Sequence, residues 1–316
     1  MLDEAALWVT SLFGLNPSSK LAGSLVFFLA DAVKILLLLA VAIFLIGTLR
    51  SYVPAEKVKA FLARRHPLMG HVAASTFGAI TPFCSCSSIP LFVSFLDAGV
   101  PLGVSLSFLI TSPLVNEYMA ILMLLLFGWK IMVAYIAAGM LLGIVGGIVL
   151  GKMRLERHLI RLRARARTDA HAFRTFSDCV RFGLDESLTI FKKLWLWILA
   201  GVAVGALIHN YVPQAFLERA VGAGGIFTVP IAVLIGVPLY GSSSALVPVA
   251  AELFAKGVPL GTALAFIMAV SALSFPEAVI LRRVMRLRLI LIFFGFVALG
   301  IVIVGYTMNA FAGILL

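Results

Sequence analysis

The run TPFCSCSSIP, Thr81 to Pro90, places Cys84 and Cys86 among the hydroxyls of Thr81, Ser85, Ser87 and Ser88, between Pro82 and Pro90. Thiols are soft ligands that favour thiophilic species, and a thiol pair can also exchange electrons or disulfides. On regular backbone, two cysteines separated by one residue point in different directions, so joint action requires irregular backbone between them. The flanking prolines supply that irregularity. Cys179 stands far away, and the odd count of three cysteines implies no disulfide framework.

The same punctuation returns in GVPLYGSSSALVP, Gly236 to Pro248, with serines in place of the thiols. Two such breaks meeting inside a membrane would form a pocket of exposed N–H groups, carbonyls and hydroxyls, the usual position of a transporter substrate site. Half-helix N-termini there would equally suit a small anion. The expected lining is Pro82, Cys84, Ser85, Cys86, Ser87, Ser88, Pro90, Thr111, Asn116, Pro238, Ser242, Ser243, Ser244 and Ser271. Glu117, beside Asn116, and Glu277, after Pro276, occupy nearly corresponding places and are the candidates for proton coupling, because intramembrane carboxyls mark ion and proton pathways. Plainer readings stand beside these. A cysteine packs as a small hydrophobe, a serine cluster serves close helix contact, and a neutral carboxyl can satisfy a broken helix.

Such residues need a scaffold, and composition says which kind. Of 316 residues 62% are hydrophobic and only 12% charged, with a mean hydropathy of +1.11. Soluble domains run near 45–50% apolar and about 25% charged. The chain is therefore expected to be an integral, polytopic, all-α membrane protein in contact with the lipid bilayer, and no nucleic-acid partner is expected. Its net charge of +11 is read first as topology. Apolar stretches of spanning length occur at Val26 to Leu49, Ile131 to Leu150 and Leu289 to Val304, with Leu194 to Ile208 and its flanks as a fourth. Residues 1–25 form an N-terminal amphipathic segment without a cleavable signal. Residues 26–151 and 185–316 form two transmembrane units. Between them, 152–184 is a basic linker, cytoplasmic by the positive-inside rule.

The two units repeat one another. GVPLG occurs at Gly99 to Gly103 and again at Gly257 to Gly261, an offset of 158 at which Gly78 also falls on Gly236, Pro90 on Pro248 and Phe108 on Phe266. Charge indicates how the units lie. Arg50 to His66 is basic while its partner Val212 to Gly225 is not, and Arg282 to Arg288 carries four arginines where Phe127 to Lys130 has one lysine. Matching loops of opposite character are the mark of inverted repeats, whose broken or re-entrant helices meet near the bilayer midplane. Closing that topology calls for a re-entrant hairpin over Gly70 to Leu96, its tip near Pro82 to Ser88, followed by a helix over Pro101 to Phe127 broken near Thr111 to Asn116; the rival is four full spans per unit with parallel repeats, which places the basic Arg50 to His66 loop outside.

Several activities are excluded by absence. There is no GxxxxGK[ST] phosphate loop, no zinc-protease spacing and no histidine partner for the serines, so neither an enzyme nor a metal or other cofactor is expected. His66, His71 and His209 read as isolated. The glycines of GMLLGIVGGIVLG, Gly139 to Gly151, have small-xxx-small spacing and suit tight helix contact, by default within a protomer and otherwise across a homo-oligomer.

Together, TPFCSCSSIP, the GVPLG turn and SPLVNE (Ser112 to Glu117) resemble the hallmark of the predicted-permease family that includes the organoarsenical efflux permease ArsP. The resemblance covers the chain from about Ala32 onward. It implies a bacterial inner-membrane secondary permease for a small-molecule substrate, and in one branch export of trivalent organoarsenicals with Cys84 and Cys86 as thiol contacts.

Overall fold

The computed structural model describes residues 67–81, 85–153, 155–160, 225–239 and 257–315, with scattered positions in 25–44, 184–199 and 247–254. Among these residues every regular element is a helix. In the first unit they are α1 (Pro67–Ile80), α2 (Ser85–Asp97), α3 (Leu102–Leu114), α4 (Glu117–Phe127) and α5 (Trp129–Lys152). A single 3-10 turn, Leu155–His158, follows. The second unit supplies α6 (Thr228–Gly236), α7 (Leu260–Ala272), α8 (Phe275–Leu281), α9 (Leu287–Ala310) and a final turn of helix, α10 (Ala312–Leu315).

Among the described residues, three stretches are long and apolar enough to cross a bilayer: α5, α9 and Leu260–Leu281, which comprises α7 and α8; α3 with α4 makes a fourth, bent by 46°. The expected spans at 131–150 and 289–304 thus lie inside α5 and α9, while those at 26–49 and 194–208 fall largely outside the described residues. Every residue of α3 is buried. By contrast α9, the most hydrophobic of the three spans, exposes Leu291, Leu299 and Ile303, and α5 exposes Val133, Leu141 and Val145. A water-soluble protein would not leave that much aliphatic surface uncovered, so lipid is the solvent these helices are made for. The protein is a membrane protein with α3 and α7 at its centre.

Register follows from side-chain pairs. His71 meets Ser107 and Ser75 meets Thr111, so α1 runs parallel to α3. Ser88 meets Ser112 and the Phe95 ring packs on Phe108, so α2 runs back along α3. A Cβ on Gly103 would strike Gly147 and Gly151, and one on Gly139 would strike Val115, so α5 is antiparallel to α3. The second unit repeats these contacts. A Cβ on Gly78 would lie 3.1 Å from the Phe108 carbonyl oxygen and 3.2 Å from Ser112 N, and one on Gly236 3.3 Å from both Phe266 O and Val270 N, the same partners displaced by 158 positions. Gly99 and Gly257 share positive φ angles of 80° and 89°, which only glycine adopts cheaply. They close identical turns, with Val100 N–H donating to Phe95 O and Val258 N–H to Leu253 O.

The two units also touch in a defined sense. A Cβ on Gly146 would meet Phe296 and one on Gly300 would meet Leu142, so α5 and α9 lie antiparallel. At one end Lys130 Nζ donates to the Ile314 carbonyl. At the other, the chain leaving α5 pairs with the turn entering α9: Ile160 N–H donates to Val284 O at 2.8 Å, and Arg286 N–H to His158 O at 2.9 Å.

Candidate functional site: two helix breaks at one depth

The end of α1 and the α3–α4 connection come to the same level. α1 ends two residues beyond Gly78, which faces Ser112, and α3 ends two residues beyond Ser112. Val115, in the break, faces Gly139, the eleventh of the 24 residues of α5. At 1.5 Å per residue this is about 16 Å from one end of a helix about 36 Å long. α1, with 14 residues, and α2, with 13, are each too short to cross a bilayer. α1 starts at the end that carries Lys152 and stops half-way along α5, and α2 runs back along α3. In the second unit the matching break is Leu273–Ser274, between α7 and α8.

Each break has a local cause. Pro113 gives α3 no N–H for the carbonyl of Leu109. Val115 then takes an extended conformation, and Asn116 starts a new helix by accepting a hydrogen bond from Met119 N–H at 2.8 Å. Pro90, buried within α2, likewise leaves the Cys86 carbonyl without its helical donor. Pro276 sits at the start of α8, where a missing N–H costs nothing.

The structure places several of the expected lining residues. Ser88 is fully buried and hydrogen-bonds to Ser112 at 2.7 Å, and Thr111 is buried against Ser75. Asn116 is half-buried at the break. Ser271 is half-buried, with a hydroxyl oxygen that is itself buried and without a hydrogen-bond partner among the described residues. Ser85, Cys86 and Ser87 form the first turn of α2. Pro238 lies apart from these, exposed in the turn after α6. Pro82, Cys84, Ser242, Ser243 and Ser244 lie outside the described residues.

Glu117 and Glu277 do not occupy matching positions. The cap residues Asn116 and Ser274 correspond across the repeat, but Glu117 is the first residue of α4 and Glu277 the third of α8. Two helical residues turn a side chain by about 200°. Glu117 is accordingly exposed, while Glu277 is 1% exposed.

His71 requires a correction. It is not isolated: its Nδ1 lies 2.8 Å from Ser107 Oγ, both groups buried. One turn on, Ser75 pairs with Thr111 and also donates to the Met140 carbonyl. The signal was present in the sequence as a shared spacing, since 71 and 75 on one helix and 107 and 111 on the other each lie four apart and share a face. The glycines of α5 close this polar seam from the third side. A Cβ on Gly143 would collide with Thr111 Oγ1 and one on Gly147 with Ser107 Oγ, so the small-residue spacing serves contact within the protomer.

A family model described as predicted permease, of the ArsP type, matches residues 20–310. The chain belongs to this predicted-permease family. It is similar to a UPF0718 protein of Methanocaldococcus jannaschii, 22% identical over 82% of this chain and 86% of that one. A Streptococcus mutans protein that carries the name of a two-component membrane permease complex subunit is 24% identical over 66% of this chain and 69% of its own. UPF0718 protein YcgR of Bacillus subtilis is 19% identical over 60% and 65%. No solved structure matches the chain. Membership makes the protein a permease of the transporter class.

Proposed function

We propose that the protein is a multi-pass secondary permease of the bacterial inner membrane, built from two inverted repeats, that carries a small thiophilic solute, such as a trivalent organoarsenical, through a pocket between the breaks at 82–88 and 238–244. The observation that carries this reading is the common depth of the end of α1 and the α3–α4 break, half-way along α5. Irregular backbone at that depth is tolerated where it lines a cavity. The antiparallel contact of α5 with α9, which are equivalent helices of the two units, supports inversion. So does the pairing of 158–160 with 284–286, which sets the end of one unit beside the point of the other that corresponds to its opposite end. Alternating access then comes from rocking one unit against the other. The soft character of Cys84 and Cys86 supports a thiophilic cargo, and Glu277, buried in α8, supports a coupling role for a carboxyl.

The test is uptake of a trivalent methylated arsenical into proteoliposomes, with and without a pH gradient. Wild type is expected to transport, the Cys84→Ser/Cys86→Ser double variant to lose transport, and Glu277→Gln to lose its response to the gradient. A double variant as active as wild type discards the thiol mechanism. A folded wild type that moves no arsenical discards the substrate assignment and turns the search to small anions.

A further inference from the structure

The polar seam between α1 and α3 is present in one unit and missing from the other. His71 and Ser107 correspond to Val229 and Ala265, Ser75 and Thr111 to Val233 and Ala269, and Ser88 and Ser112 to Leu246 and Val270. The helix packing around these positions is otherwise shared. In the second unit a Cβ on Gly305 would meet Val229 Cγ1, Ala265 Cβ and the Gly261 carbonyl, the counterparts of the groups around Gly147 and Gly103. A Val–Ala pair therefore fills this crossing, and close packing does not account for a histidine and a serine there.

From this geometry we infer that His71 and Ser107 form a proton-binding site, set at the end of the bundle that carries Lys152, through which the first unit senses protons during transport. The inference goes beyond the permease reading, whose coupling carboxyl is Glu277, in adding a second proton-binding group in the other unit, and its part in coupling rests on that reading. The site accommodates both charge states. With the ring neutral, the Ser107 hydroxyl donates to Nδ1 and the ring proton resides on Nε2. When the ring gains a proton, Nδ1–H donates to Ser107 Oγ, and the hydroxyl proton turns to the Gly103 carbonyl, which lies 3.3 Å from Oγ. No heavy-atom bond changes, one proton is gained, and no polar atom of the three is left unpaired. The Gly103 carbonyl is also the group that a Cβ on Gly147 would strike, so the rearrangement falls on the α3–α5 crossing.

The surroundings make the charge consequential. α1 holds no other ionisable residue, and α3 holds none. The stretch of α5 against this crossing offers only Lys152, exposed at its end. On α1, α3 and this stretch of α5, then, no carboxylate faces the imidazole; α2, which packs on both α1 and α3, ends in Asp97 at the same end of the bundle. A protonated ring favours arrangements in which its edge, now 8% exposed, opens further to water. That preference is what couples a proton to a conformational change.

The experiment uses the full chain with ¹³C,¹⁵N-labelled histidine. A His71→Val/Ser107→Ala variant, which copies the second unit's own pair, identifies the His71 signal by its loss. Expected is a reversible gain of a proton by His71 as the pH is lowered across the range in which the protein stays folded, with the Nε2–H tautomer when neutral and a shift towards the other tautomer in Ser107→Ala. In proteoliposomes with the methylated arsenical, the double variant is expected to keep exchange at equal pH while its gradient-driven accumulation falls to the level without a gradient. A ring that stays neutral across the range overturns the proposal. So does a double variant that responds to the gradient as wild type does. Failure of wild type to move the arsenical counts against the permease reading for that probe, and the titration then decides the site by itself.

Discussion

The two units share a backbone and differ in what they bury. In the first, α1 is joined to α3 by directional hydrogen bonds, His71 to Ser107 and Ser75 to Thr111, with α5 glycines seated on the hydroxyls. In the second, the same faces of α6 and α7 meet through Val229, Val233, Ala265 and Ala269, all buried. There the polar contact has moved to the helix end, where Asn309 accepts from Gly261 N–H and donates to Thr262 Oγ1. The lesson is that a duplicated fold constrains where small residues must be and leaves free whether the seam is polar. A hydrogen-bonded seam resists sliding because each shift breaks bonds that hydrocarbon cannot replace, whereas an apolar one slides at little cost. The first unit is therefore expected to be the stiffer half.

Glycine substitutions should break this comparison most sharply. Gly147→Ala puts a Cβ 1.9 Å from Ser107 Oγ and 2.5 Å from the Gly103 carbonyl. It is expected to destabilise by about 1–3 kcal/mol, seen as a lowered unfolding temperature in detergent. Gly305→Ala meets Val229 Cγ1 at 2.6 Å and Ala265 Cβ at 3.0 Å, and because side-chain carbons yield more readily than backbone, its cost should be smaller. Gly295→Ala, with nothing within 4 Å, should be neutral or stabilising by about 0.5–1 kcal/mol. Equal effects at all three would mean that the glycines are not contact positions.

Next in size is the hydroxyl pair. Thr111→Ala takes a partner from the buried Ser75 hydroxyl and is expected to cost about 1–2 kcal/mol. Ser75→Val/Thr111→Ala, which installs the second unit's pair, should recover most of that loss in the same unfolding measurement. A double variant as unstable as the sum of its parts would show that the seam supports the first unit in a way the second does not need.

The smallest contrast lies at the caps. Asn116 caps α4 through its side chain, while Ser274 makes no side-chain cap bond. Asn116→Ala should cost about 1 kcal/mol and speed amide exchange at the start of α4. Ser274→Ala should leave α8 unchanged by the same exchange measurement.

Much of the fold was legible beforehand because it rests on local chemistry. Pro113 and Asn116 announce the break in α3–α4, and GVPLG announces both turns, since proline and positive-φ glycine act within a few residues of themselves. The site was legible only in part. Ser88 and Thr111 were named as pocket lining, but that they pair with Ser112 and Ser75 inside the bundle was not read. His71 was passed over because its partner lies 36 residues away on another helix. Glu117 and Glu277 looked equivalent by their motifs, although a two-residue difference from the cap turns one outward and the other inward.

By itself, the sequence determined that this chain lives in a membrane, that it is written twice at an offset of 158, and where its helices must break. These follow from hydropathy and from residues with restricted backbones, which carry their meaning locally. Tertiary structure alone decided that α1 ends at the depth of the next break and that α5 and α9 oppose one another. It also decided that a seam of hydroxyls joins α1 to α3, because each of these depends on which helix faces meet. A helix's apolar pattern names the faces that must be buried. Only packing chooses their partners.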